Sequence, residues 1–329
     1  MFSLGFFKQE RLEMYKLVFC LVLLVSNVAF AGTSPRSALE LPLAKKAVFL
    51  DLVSNDQSVI AVGERGIILK SDDKGLTWDQ VKSPVDVTLT GIAFSSKKNG
   101  WIVGHESTIL KTIDGGNSWE ISRYQPEDER FYMSVNFITA DKGYVLGTDG
   151  ELWSTEDGGN SWDLTVLSVE EWYQNHLFAI EKVSNTSLVV GERGGIFKKS
   201  IEEKNWLTIS SPYEGSFFGV NKVGEDFLVF GMSGNLYRLN AHTLEWVKIN
   251  TNTDQFLLES ASINATGGVL VVGRGGIILV VNEQGQLTKT IQNKSRADYT
   301  AVTIQDKTVY LSSMTGGIIQ MSLSDLIEK

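Results

Sequence analysis

SDDKGLTW (71–78), TIDGGNSW (112–119) and TEDGGNSW (155–162) are three copies of one phrase, S/T-x-D-x-G-x-x-W. That spacing is hard to reach three times by chance. A second marker, a glycine closing an apolar run, recurs at Gly63, Gly104, Gly147, Gly191, Gly231 and Gly273, which sets a period of 40 to 44 residues. Periods of that size belong to propellers, solenoids or arrays.

The content of one period selects among these. The second copy reads LTGIAFSS, GWIVGH, STILKT, DGGNSW, EIS: short runs rich in Val, Ile, Leu, Phe and Trp, separated by Gly, Asn, Asp and Ser. Four strands joined by hairpin-length turns make one antiparallel blade. Apolar spacing at three and four residues is missing, which excludes helical repeats. Leucine-rich and β-helical coils have shorter periods. Blades arranged radially leave only short, protected edges. The expected fold is all-β, a seven-bladed propeller of four-stranded antiparallel blades.

Copies four and five keep the glycine and a tryptophan (Trp206, Trp246) but lose the carboxylate phrase, and copy six has Leu287 in place of the tryptophan. The seventh copy (YTAVTIQ, TVYLSS, GGIIQMS) has three strands and then little chain. Residues 37–44, extended, apolar and otherwise unemployed, are expected to supply its missing outer strand and close the ring.

Ahead of the repeats, Lys8, Arg11 and Lys16 precede an apolar run at 17–25, and Ala29-Phe30-Ala31 fits a small-x-small cleavage site. Residues 1–31 therefore read as a secretory signal peptide, with Met14 an alternative start, and 32–329 as a single propeller domain. The apolar run falls short of the roughly 20 residues a membrane span needs. The expected location is periplasmic or secreted. Cys20, the one cysteine, lies in the leader, so the mature protein has no thiol chemistry or disulfide. The chain carries a net charge of −9, and loss of the leader makes it more acidic. Nucleic acid is a poor partner for such a surface.

The recurring phrase has a physical task other than catalysis. In a tight hairpin, Asp73, Asp114 and Asp157 can accept backbone N–H groups across the turn, while Gly75, Gly116 and Gly159 supply positive φ. Trp78, Trp119 and Trp162 then lie against a neighbouring sheet. Truncating a buried tryptophan costs about 3–5 kcal/mol, so these residues read as staples. Paired carboxylates for acid/base work are the opposing reading, but the three boxes sit on different blades.

The phrase is similar to the Asp-box, or bacterial neuraminidase repeat. With GIAFSSKKNGWIVG ahead of STILKTIDGGNSW, the fuller pattern resembles the photosystem II stability and assembly factor family of chloroplasts and cyanobacteria, and related exported bacterial proteins. The resemblance covers about 48–322 and is strongest over 59–162. It implies a non-catalytic propeller that binds membrane-protein partners outside the cytoplasm, and an arginine-rich patch on one face. The leader departs from the lipoprotein type, since no small residue precedes Cys20.

The turn after the second strand reads GERG at 63–66 and 191–194, and GRGG at 273–276. Arg65, Arg193 and Arg274 are thus expected in equivalent turns of blades one, four and six, with His105, Asp149 and Ser233 filling the slot in blades two, three and five. Such turns gather on one face. A guanidinium is a planar fork for carboxylates and carbonyls, so the arginine face is expected to bind protein; the bland alternative is a solvated turn residue. A sialidase-like glycoside hydrolase or glycan-binding propeller is the competing reading, with the arginines as a carboxylate triad. Tyr132 and Tyr299 lack a paired glutamate in register, and seven copies rather than six disfavour it. No metal or other cofactor is expected: His105, His176 and His242 fall on separate blades, and no helix follows Gly273, Gly275 and Gly276 to make a dinucleotide loop. The WYQNH stretch (172–176) reads as an inter-blade connection able to carry contacts.

Overall fold

In the computed structural model, residues 34–56, 58–169 and 174–328 are described; the expected signal peptide and the first two residues of the WYQNH stretch lie outside them. The compact unit from Pro35 onward holds seven sheets whose strands, numbered β1 to β27 along the chain, follow one another as meanders. Six sheets have four strands and the last has three. Blade one shows the plan: β1 (Phe49–Asn55), β2 (Ser58–Gly63), β3 (Ile68–Ser71) and β4 (Asp79–Val81). The second strand is apolar almost without alternation because both of its faces are covered by neighbouring blades, and five of the six residues of β2 are buried. The outer strand is short and exposed, as Glu120–Arg123 in blade two shows.

The innermost strands are β1, β5 (Leu89–Phe94), β9 (Tyr132–Phe137), β13 (Leu177–Val183), β17 (Phe217–Val223), β21 (Leu257–Ile263) and β25 (Tyr299–Gln305), each packed on the next. All seven carry a bulge after their first residue, leaving Leu50, Thr90, Met133, Phe178, Phe218, Leu258 and Thr300 out of the ladder. The periodic glycine explains the kink. Gly63 has extended backbone, but a Cβ there would collide with the Val48 carbonyl, where the chain enters β1. Gly104, Gly191, Gly231 and Gly273 face the corresponding carbonyls of Thr88, His176, Ser216 and Phe256.

The ring closes by contact between blades one and seven, though not through the expected strand. Residues 37–44 form no strand. They run along the outer edge of blade one, where Ala38 N–H donates to Ser83 O at 3.1 Å and Leu41 N–H to Gln80 Oε1 at 2.9 Å. Pro42 has no N–H to give a ladder, and Leu39 and Leu43 stay exposed. Beside the last blade, helix α1 (Leu323–Ile327) buries Leu323 and Leu326 instead. The seam is held by the Gly317 N–H donating to Ala47 O at 2.9 Å and by side chains: Thr300 Oγ1 donates to Phe49 O at 2.7 Å, Ser54 Oγ to Ile304 O at 3.0 Å, and Gln320 Nε2 to Gly75 O at 2.8 Å. Lys74 pairs with Asp306 at 2.8 Å, and Trp78 meets Tyr310 edge-on at 6.5 Å.

Each Asp-box is saturated by its own turn. Asp114 Oδ1 accepts the N–H groups of Asn117 and Ser118 and the Thr112 hydroxyl, and Oδ2 accepts Ser118 Oγ. Asp157 repeats this with Asn160, Ser161 and Thr155, and Asp73 with Thr77 and Ser71. These bonds hold Asp157 at about 2, led by Ser161. In Asp114, partial burial opposes the bonds from Ser118 and Thr112, which still prevail and bring it to about 2. The box glycines lie against the preceding blade: a Cβ on Gly75, Gly116 or Gly159 would strike Gln320 and Tyr310, Ile60 or Trp101. Trp119 is buried in the core between blades one and two, and Trp162 packs on Trp101 and Phe137. Asn117 and Asn160 accept from Lys70 and Lys111 of the preceding blades at 3.0 and 2.9 Å.

A chain starting at Lys45 loses the edge bonds of 37–44 and the Leu41 and Ala44 packing on the core shared by blades one and seven, but keeps the hydrogen bonds of the seam, and a net hydrogen bond contributes about 1 kcal/mol. It is expected to unfold in one cooperative thermal transition, a few degrees lower at most. A broad or multi-step transition would show that the segment holds the ring.

Candidate binding face

The second-to-third-strand turns and the inter-blade connections share one end of the ring; the boxes occupy the other. At the first end each turn is a single 3-10 turn in five blades, with the middle residue in the left-handed region: Arg65 (φ 56), Asp149 (57), Arg193 (51), Ser233 (55) and Gly275 (65). The third residue is glycine because the inter-blade carbonyl leaves no room for a side chain, as at Gly66 against Val85 O. The expected single slot therefore divides in two. Arg65, Arg193, Asp149 and Ser233 share the left-handed position, whereas Arg274 and His105 come one residue earlier, directly after Gly273 and Gly104. Blade two has Glu106 and Ser107 at positive φ, a tighter turn without glycine.

Arg65, Asp149, Arg193 and Arg274 are exposed. The Arg274 guanidinium lies over the Phe256 ring at 4.8 Å, and Phe256 meets Phe218 at 6.0 Å, which meets Phe178 at 5.4 Å. The result is an aromatic run from the channel mouth to Arg274 across blades four to six. Sequence reading missed it; the signal was the bulge position, which carries Phe178 and Phe218. His105 is half-buried against Phe131, and burial lowers its pKa. His176 accepts the Asp149 N–H on Nδ1 at 3.2 Å, and buried Asn175 donates to Glu192 O at 2.7 Å, so this part of the WYQNH connection ties blades three and four together on the arginine face.

The three arginines stand on blades one, four and six, in two different turn positions, with Arg274 stacked on a ring. That arrangement is unlike a triad gathered on one carboxylate. Among the described residues no group of His, Cys, Asp or Glu is placed to hold a metal ion, and no helix is long and apolar enough to cross a membrane.

The central channel, about 370 Å³, is lined by the inner strands and holds Asp51, Glu181 and Glu259. Burial pushes all three carboxyls above the usual range; the Asp51 charge adds to this for Glu259, and N–H groups of Ile92 and Leu52 partly offset it for Asp51. A carboxyl whose folded pKa is raised contributes stability below its unfolded pKa of about 4 and loses it as pH rises through the folded value. The protein is therefore expected to resist denaturant better at pH 5 than at pH 8 on account of these groups. Asp51→Asn with Glu259→Gln should flatten that slope by roughly 1–3 kcal/mol. An unchanged slope would show that the carboxyls ionise as in the unfolded chain.

The family model for the photosynthesis system II assembly factor YCF48 matches residues 71–324. The photosystem II assembly protein Ycf48 of Synechococcus sp. (strain JA-3-3Ab) is 34% identical over 73 residues, 21% of this chain and 22% of that protein; the aligned part is about a fifth of the curated relative. A solved structure of YCF48 bound to D1 peptide superposes with a TM-score of 0.67 at 17% identity, covering 89% of this chain and 96% of that one. Virginiamycin B lyase from Staphylococcus aureus superposes equally well (TM-score 0.70, 10% identity, 87% and 97% covered), so at this level of identity the likeness shows the fold alone. By the match over 71–324, the chain belongs to the photosystem II assembly factor (YCF48) family of propellers.

Proposed function

We propose that this protein is a non-catalytic assembly or stability factor that holds a segment of a membrane-protein partner on its arginine-bearing face, outside the cytoplasm. Family membership over 71–324 carries this reading. Several relatives are named assembly lipoproteins, which supports an extracytoplasmic place of action; the leader at 1–31 points to the periplasm, with 32–329 as the working domain. A YCF48 structure is described as bound to D1 peptide, which supports a peptide segment of a membrane protein as the kind of partner. On this chain, Arg65 and Arg193 are raised on left-handed turns, where a rigid backbone presents a flexible cation, and the Phe178–Phe218–Phe256 run offers apolar area beside Arg274. Cations supply steering and forked hydrogen bonds, and aromatic rings supply desolvated contact.

Arg65→Glu, Arg193→Glu and Arg274→Glu together should leave the melting temperature within a few degrees, since exposed substitutions usually stay within about ±0.5 kcal/mol each. Crosslinking and mass spectrometry on envelope extracts should then recover none of the membrane-protein partners that the unmodified protein captures. Equal recovery would make the arginines ordinary turn residues.

A further inference from the structure

Blade four has no Asp-box, and the space a box would fill is a cleft of about 310 Å³ between blades three and four, at the end of the ring opposite the arginines. In β14 (Thr186–Gly191), Ser187 pairs with Lys182 of β13 and with Lys199 of β15 (Ile196–Ser200). The three side chains thus stand in one row across adjacent strands. Alternation puts them on the same face as Ile180, Val189 and Phe197, which pack against blade three.

Hydrocarbon fills this position in the other blades. The counterparts of Ser187 are Val59, Phe227, Val269 and Val309, all buried, or Gly100 and Gly143, which lie under the Phe94 and Phe137 rings. Lys199 replaces the box-capping Ser71, Thr112 and Thr155, and Ile201 stands where the box aspartate would be. Ile60, Trp101 and Tyr310 lie under box glycines; their counterpart Tyr144 lines the cleft instead, met edge-on by Trp206 at 6.2 Å.

The polar groups left there are arranged for an anion. Ser187 is 8% exposed, and among the described residues its hydroxyl has no hydrogen bond while Lys182 and Lys199 have no ion pair. Lys142 reaches in from blade three, held by Glu156 at 2.5 Å. The lining carboxylate, Glu203, is already met by Lys198 at 2.6 Å and by the Ser200 N–H at 2.7 Å. Two half-buried lysines flank a buried hydroxyl on either side, so two cations and a donor stand within reach of one anion. We propose that this cleft binds a phosphate group, with Lys142, Lys182 and Lys199 supplying charge and Ser187 Oγ a directional hydrogen bond.

Inorganic phosphate titrated calorimetrically into the protein, against chloride at equal ionic strength, should bind saturably. Lys182→Gln with Lys199→Gln should weaken it at least about tenfold, the lost charge attraction being larger than a neutral hydrogen bond. Crystals of the unmodified protein grown in phosphate should show the anion at Ser187, a readout that needs no variant. Vesicles of phosphatidylcholine with and without phosphatidate separate the sources. Sedimentation that depends on phosphatidate and on the two lysines assigns the phosphate to a lipid headgroup; calorimetric binding without sedimentation assigns it to free phosphate. No saturable binding, equal affinity in the double variant, or density only elsewhere would overturn the proposal.

Discussion

The chain enters every blade by passing its backbone directly over the end of the second strand, and the rest of the ring depends on that crossing. Where the Val48 carbonyl meets Gly63, any side chain would push the inner strand outward. The crossing sets the bulge that follows, and the bulge places Phe178 and Phe218 in the channel lining while the remainder of each inner strand packs on its neighbours. A packing requirement repeated along the chain thus determines both the circular arrangement and the place of the aromatic run beside the Arg274 turn. Blade seven meets the same need with buried Ser313.

The opposite end is governed by a second contact, box against preceding blade. Where the box is present, its glycine seals the seam, its asparagine in blades two and three takes a lysine from the preceding blade, and its tryptophan fills what remains. The box carboxylates are spent within their own turns. Where it is lost, in blade four, Trp206 still covers part of Tyr144, but the seal is gone and lysines occupy the opening. The two ends of the molecule therefore differ chemically: forked cations beside aromatic rings at one, and a lysine-lined seam at the other.

Much of this was legible in the sequence because it rests on short-range requirements. Period, strand content and box phrase name the blade, and glycine markers locate the crossing in six of the seven blades. Closure was not legible. Residues 37–44 have strand-like composition, but whether they join the last blade or lie along the first depends on Pro42 and on helix α1 already covering the last blade, which are tertiary facts. That the three arginine turns share one end of the ring was legible, yet their register was not: GERG and GRGG look alike, and only backbone dihedrals place Arg65 and Arg193 on the left-handed residue with Arg274 before it. The aromatic run escaped because Phe178, Phe218 and Phe256 are far apart in sequence and become neighbours only when blades four to six are set side by side. The cleft of blade four appeared in the sequence merely as a degenerate repeat, since a missing box says nothing of what takes its place.

Family membership and the two chemically distinct ends lead to one central claim, that the partner is engaged by the arginine face. Site-specific photocrosslinking tests it most directly. A photoreactive residue is placed at Ser233, exposed on that face, and in a second protein at Asn205, at the box end of blade four. The account predicts that illumination in native envelopes links a membrane-embedded protein to the residue at 233 and leaves the one at 205 without it. Capture of that protein from 205 alone would contradict the claim.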